Sequence, residues 1–245
     1  MDELSEEGVM PNFAKLKDEG YFGKMDSSIP AISSTSWGTI ITGRNPGEHG
    51  VYGFTDVIEG TYTLSFSNFL TLRKPAFWQQ DGGTKVILNV PSTYPAQELD
   101  GCHVSGFVSP NMDKAVYPES LLEKLKEMDY RIDVDADKGH KSERLLFQEL
   151  FDTLEARIRA YRYLWDEYDW NTFMLVFTGT DRLEHFLWSA YEEEDHDYRD
   201  KFLEFFERID EELGEIDSRL GEEDSLVMLS DHGMERVKFN INLNA

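Results

Sequence analysis

The sequence predicts an α/β fold, and three observations carry that reading. Apolar runs alternate with amphipathic stretches along the chain. The runs Thr172-Phe173-Met174-Leu175-Val176-Phe177 and Leu226-Val227-Met228-Leu229 read as buried strands, because they lack the polar alternation of a sheet with one wet face. Each is followed at once by a polar cluster, Thr180-Asp181-Arg182-Leu183-Glu184-His185 and Ser230-Asp231-His232-Gly233. Such clusters fall at the rim of the sheet, where open α/β folds bind ligands.

The elements follow in order. Met10 to Glu19 is predicted as a short amphipathic helix, with Pro11 near its start and Gly20 at its C-cap. Ser36 to Thr42 forms a helix closed by Gly43, and Lys85 to Val90 a compact buried strand ended by Pro91 and Pro95. Pro118 to Met128 is a further helix. Two long helices come next. The first keeps Leu145, Leu146, Leu150, Leu154, Ile158 and Tyr161 on one face; the second does so with Phe202, Phe205, Phe206, Ile209, Leu213, Ile216 and Leu220. These stripes are core packing. Residues from about 113 to 137 carry more charge and fewer sheet-like runs, and read as part of an inserted cap on a single domain spanning 1–245.

A chain of 245 residues can bury a substantial core, and 40% hydrophobic with 13% aromatic residues is too many for disorder. The formal charge is −24, from 48 acidic and 24 basic residues spread along the chain. That excludes nucleic-acid binding over a broad surface, which needs a basic patch. A dispersed acidic exterior serves solubility and suits a high-salt cytoplasm. No apolar run approaches the length of a membrane span. The start Met1-Asp2-Glu3-Leu4-Ser5-Glu6-Glu7 is acidic where a signal peptide is basic, so the expected location is cytoplasmic. The one cysteine, Cys102, excludes an internal disulfide and reads as a small buried filler.

If a helix begins near Asp181, its four-residue spacing from His185 puts both side chains on one face. A carboxylate and an imidazole together suit zinc or manganese. The plainer alternative is an N-cap aspartate beside a surface histidine. Asp231 and His232 can turn toward one ion at the frayed end of a strand, with Gly233 letting the backbone bend away. Two acid–histidine clusters at two strand ends favour the metal over the polar-turn reading. Upstream, Ser33-Ser34-Thr35-Ser36 leads into a helix, whose N-terminal N–H groups and dipole favour an attacking alkoxide and a bound phosphate.

Taken together these motifs resemble the alkaline phosphatase superfamily, in its type I phosphodiesterase and nucleotide pyrophosphatase branch. The resemblance takes in Met10-Pro11-Asn12-Phe13, Ser28-Ile29-Pro30-Ala31, Thr42-Gly43 to His49-Gly50, and Asn89-Val90-Pro91-Ser92-Thr93-Tyr94-Pro95. It continues through Thr180-Asp181 with His185 to Asp231-His232-Gly233, in the family's order. It implies an alkaline-phosphatase-like three-layer sandwich, with a central, mostly parallel sheet and helices on both faces. It also implies a Ser or Thr nucleophile nine residues before the Thr of the Thr-Gly pair, which selects Ser33. By the same resemblance Asp181 and His185 hold one divalent metal, while Asp231, His232 and Ser33 hold a second, with zinc expected and manganese the alternative. The implied substrate is a phosphate-ester small molecule, attacked by Ser33 to give a phosphoseryl intermediate.

The sequence departs from the family at three points. The aspartate that ends the family's first strand and a later metal-binding histidine have no counterpart here. The expectation is therefore a piece of a longer family member, incomplete at both ends, with weakened metal binding and low activity. Phe54 stands five residues after His49, where nucleotide pyrophosphatases carry an asparagine, so nucleotide diesters fit less well than other phosphate esters. His49 reads as shaping its loop; His103, His140 and His196 read as packed or solvated. The alternatives are an inactive or ligand-binding module of the same fold, a sulfatase, or a phosphoglycerate mutase. Ser34-Thr35-Ser36-Trp37 after Ser33 lacks the arginine of the sulfatase pattern.

Overall fold

The computed structural model describes residues 1–80, 82–239 and 241–242. Its helices are α1 (Asp2–Glu6), α2 (Pro11–Glu19), α3 (Ser33–Thr42), α4 (Pro46–His49), α5 (Leu121–Glu127), α6 (Ala136–Gly139), α7 (Glu143–Glu167), α8 (Gly179–Glu192) and α9 (Arg199–Arg219). Its strands are β1 (Thr55–Val57), β2 (Leu64–Phe66), β3 (Lys85–Val90), β4 (Gly101–Ser105), β5 (Val116–Tyr117) and β6 (Thr172–Leu175). The chain divides into two compact units, Met25–Gly179 and Met1–Lys24 with Thr180–Ala245. The fold is mixed α/β with a mostly parallel sheet, as predicted.

The central unit is built on a sheet of order β5-β4-β3-β6. β3 runs parallel to β4 and β6, while β5 is antiparallel to β4. β3 is buried along its whole length. Its Ile87 faces a cluster of Trp37 and Ile41 from α3 with Phe69, Ala76 and Trp78. By strand alternation Val86 and Leu88 point to the other face, and α7 packs against β3. Asn89 takes a left-handed φ of 64°, and the pairing with β4 shifts register between Leu88 and Val90. That bulge returns Val90 to the Ile87 face, where it joins the same cluster. β1 and β2 form a separate antiparallel pair.

In the second unit α2 packs on α9. Asp210 of α9 is buried and accepts from the backbone N–H of Asn12 at 2.8 Å and of Phe13 at 2.7 Å. A carboxylate from another helix thus satisfies two N–H groups that the start of α2 leaves open. Gly214 permits the approach, since a β-carbon there would stand 2.7 Å from the Asn12 carboxamide. Of the predicted stripe, Phe202, Phe205, Phe206, Ile209, Leu213 and Ile216 are buried, while Leu220 is half-buried just past the end of α9.

Three expectations need correction. Leu226 to Leu229 is not a strand: among the described residues nothing pairs with it, and Val227 is 79% exposed. An apolar run becomes a strand only when a neighbour takes up its backbone N–H and C=O groups. Asp231 and His232 therefore follow chain without regular secondary structure. The run before Asp181 is a strand, but a half-buried one over Thr172–Leu175, at the sheet's edge. The helix predicted from Ser36 begins three residues earlier, at Ser33. Cys102 is buried, as expected of a filler. Among the described residues no helix is long and apolar enough to cross a membrane.

Candidate active site

Asp181 lies in the first turn of α8, where a carboxylate is favoured by the positive end of the helix dipole. One turn on, His185 Nε2 stands 3.3 Å from Asp181 Oδ1, so the four-residue spacing does put both groups on one face. Asp181 Oδ2 lies 3.6 Å from Arg182 Nη1. Oδ1, though shielded from solvent, has no hydrogen-bond partner.

The second pair comes to the same place. His232 Nε2 is 3.4 Å from Asp231 Oδ2 and 3.7 Å from Asp181 Oδ1. Its other ring nitrogen, Nδ1, is 3.0 Å from the Gly233 carbonyl. A carbonyl oxygen can only accept, so Nδ1 carries the proton in that contact. In the neutral ring Nε2 then turns a lone pair toward two carboxylate oxygens. A cation between them converts repulsion into coordination, and a backbone carbonyl on the second nitrogen is the usual support of a metal-binding histidine.

Glu184 sits beside this group and drew no role from the sequence. Its carboxyl is pushed up to about 7, chiefly by burial. The N-terminal amine opposes that rise, the Asp181 charge adds to it, and His232 again opposes. The sequence carried a signal in Glu184 as the one acid between Asp181 and His185, but its burial could not be read there.

Ser33 belongs to the other compact unit, as the first residue of α3. In the hydroxyl run it is the partly exposed member, whereas Ser34, Thr35 and Ser36 are buried. Ser36 is tied to Ser28 at 2.9 Å and to Ser27 at 3.1 Å. Downstream, buried His49 accepts at Nδ1 from the Val51 N–H at 3.2 Å, which leaves Nε2–H to donate to Thr39 Oγ1 at 3.0 Å. Gly38 makes room for the ring, since a β-carbon would approach it to 2.9 Å. Both nitrogens are spent on structure, one on the Val51 N–H and the other on Thr39 of α3. Phe54 packs edge-to-face on Phe107, with ring centroids 5.7 Å apart.

A family model for type I phosphodiesterase / nucleotide pyrophosphatase matches residues 1–245, the full sequence. The chain belongs to that family. The type I phosphodiesterase / nucleotide pyrophosphatase match makes it a hydrolase of the phosphodiesterase and pyrophosphatase kind, suited to a phosphate-ester substrate. No curated protein and no solved structure matches it.

The family is generally metal-dependent. Among the described residues no group of three or more His, Cys, Asp or Glu is already arranged to hold a metal ion. The donors stand in acid–imidazole pairs. Their chemistry nevertheless fits a divalent cation: the unpartnered Oδ1 of Asp181 faces two imidazole nitrogens at 3.3 and 3.7 Å.

Proposed function

We propose that the protein hydrolyses phosphoric esters with Ser33 as nucleophile, and with Asp181, His185, Asp231 and His232 as ligands to divalent metal, zinc first and manganese second. Membership of the family over residues 1–245 carries this reading. Two further observations support it. Ser33 is the solvent-reachable hydroxyl of its run, and the four proposed ligands lie together in one compact unit.

In the proposed reaction Ser33 Oγ attacks phosphorus and the ester oxygen leaves as the alcohol. Water then breaks the phosphoseryl bond and returns the serine hydroxyl. The position of Ser33 at the start of α3 directs the helix dipole toward the phosphoryl charge. Bound metal would supply a lowered hydroxyl pKa and neutralisation of phosphoryl oxygens. Phe54, engaged with Phe107, presents an apolar ring to its surroundings, and we assign the substrate to phosphate esters other than nucleotide diesters.

The test is hydrolysis of bis-p-nitrophenyl phosphate with zinc or manganese, before and after Ser33→Ala. A fall in turnover to about 1% of the parent value or below is expected from removing a covalent nucleophile. Undiminished turnover in the variant removes Ser33 from the mechanism. Metal binding without turnover in the parent protein identifies a ligand-binding module of the same fold.

A further inference from the structure

Between Gly60 and Gln97 the chain holds a single acid, Asp81, where its average of 48 acids in 245 residues would place about seven. Three bases share that stretch, Arg73, Lys74 and Lys85. Its charge is positive in a strongly acidic protein. The same stretch lines an open cavity of about 260 Å³, with Arg73, Lys74, Gln79 and Gln97 as its polar lining. Phe69 and Leu72 are among its apolar lining. Every lining residue belongs to the sheet-bearing unit, and none is Ser33 or a proposed metal ligand.

The cavity wall is held in place by its own chain. Two 3-10 turns frame it, Phe69–Thr71 and Phe77–Gln79. Asn68 caps the first by accepting the Leu70 N–H at 2.9 Å, and the Thr71 hydroxyl donates to the Asn68 carbonyl at 2.7 Å. Phe69 is buried, and its ring stacks on that of buried Trp78 with centroids 6.1 Å apart. The Arg73 N–H donates to the His49 carbonyl at 3.0 Å. The Arg73 side chain lies against Gly50, where a β-carbon would stand 2.7 Å from Nε. A wall ordered in advance lowers the cost of binding.

The charges at this cavity are unspent. Neither Arg73 nor Lys74 has an ion pair or a side-chain hydrogen bond among the described residues, whereas Lys15 pairs with Asp217 at 2.8 Å and Arg219 with Glu215 at 3.2 Å. Gln79 Oε1 accepts the Ala76 N–H at 2.9 Å, which leaves the amide nitrogen as its donor end. Gln97 Nε2 is spent on the Pro95 carbonyl at 2.9 Å. No acid is among the lining residues. Two adjacent cations and a third donor without a carboxylate select an anion, and a guanidinium fork matches two oxygens of one phosphoryl group. The volume falls just below the roughly 300–1,000 Å³ of drug-sized ligand pockets, so the occupant is small.

We propose that this cavity binds a small organic phosphoryl anion, with its oxyanion head on Arg73 and Lys74 and its apolar part on Phe69 and Leu72. Phenylphosphonate is the probe, since it has both parts and a phosphorus–carbon bond that ester hydrolysis leaves intact. Saturation-transfer NMR on the full chain in EDTA measures its binding without metal. A dissociation constant of about 1 mM is expected for a ligand of this size. Phenol lacks the charge and inorganic phosphate, read by displacement of phenylphosphonate, lacks the ring; each should bind at least about fivefold more weakly. Arg73→Gln and Lys74→Gln should each weaken phenylphosphonate about tenfold, and Lys74→Arg by less than about threefold.

No binding by the parent at about 10 mM overturns the proposal, a concentration well above the expected constant. Equal binding of phenol or of inorganic phosphate overturns it too. If both glutamine variants bind phenylphosphonate as the parent does, the anion sits elsewhere and the proposal falls. The fold of each variant is checked by circular dichroism and urea midpoint. Should Arg73→Gln fail to fold, the comparison of Lys74→Gln with Lys74→Arg decides.

Discussion

Two histidines of one compact unit, His49 and His103, and two of the other, His185 and His232, are used in opposite ways. In the sheet-bearing unit, His49 and His103 are fully buried and both are held neutral by burial, which lowers their affinity for protons. His103 accepts the Gln97 N–H at Nδ1, at 3.0 Å, and packs edge-on to Phe69 and Trp78. In the other unit, His185 and His232 stand beside carboxylates rather than aromatic rings. A histidine enclosed by apolar groups is fixed as a neutral packing element. One facing acids has a lone pair or a positive charge to offer. The difference separates structural from chemical histidines without reference to motif.

The largest expected effect is on acid stability. Unfolded His103 takes up its proton near 6.5, while the folded ring does so at about 4. Between those values the unfolded chain binds more protons, so stability is present above 6.5 and falls as pH drops toward 4. The full loss is about 3 kcal/mol. His103→Gln can still accept from Gln97 but does not titrate. Urea midpoints from pH 7 to 4 should therefore fall more steeply in the parent than in the variant. Parallel curves would show that His103 charges without cost, and would break the contrast between the units.

A smaller effect is expected at His49. Thr39→Val keeps the β-branched shape but leaves the buried Nε2–H without its acceptor. The cost should be about 2 kcal/mol in the urea midpoint at constant m value, with zinc affinity unchanged. A loss of zinc binding without a loss of stability would move His49 from the structural class to the chemical one.

Much of this was legible in the sequence, and the failures are instructive. Lys85–Val90 is a strand with the bounds predicted, because Pro91 ends it and its apolar residues Val86, Ile87, Leu88 and Val90 outweigh the two polar ones, Lys85 and Asn89. The α9 stripe was readable from its period alone. Asp181 and His185 were placed correctly relative to each other because helical spacing is a local property. Leu226–Leu229 has the same local signal as Thr172–Leu175, yet only the latter is a strand, with Lys85↔Thr172 as its first pair. Pairing is a property of the partner, which a window of four apolar residues does not contain. In the hydroxyl run, residue types alone left the choice open and the family resemblance selected Ser33; the structure adds that Ser33 is partly exposed while Ser34, Thr35 and Ser36 are buried.

The smallest expected effect bears most directly on the acid-facing histidines. The His185 side chain is 54% exposed, and that of His232 is 16% exposed. The His185 ring fills no core, so His185→Ala should change the unfolding free energy read from urea curves by less than about 0.5 kcal/mol in metal-free buffer. If both are ligands, each alanine variant should lose at least about tenfold in zinc affinity, near 1.4 kcal/mol. The parent should gain about that much stability at zinc ten times its dissociation constant, and the variants less at the same concentration. His232 is supported at Nδ1 by the Gly233 carbonyl, whereas His185 stands on an ordered helix. The two losses therefore report whether a segment without regular secondary structure can hold a ligand as well as a helix does. If His232→Ala matches the parent while His185→Ala does not, the zinc site rests on α8, and the Asp231–His232 pair is a polar turn.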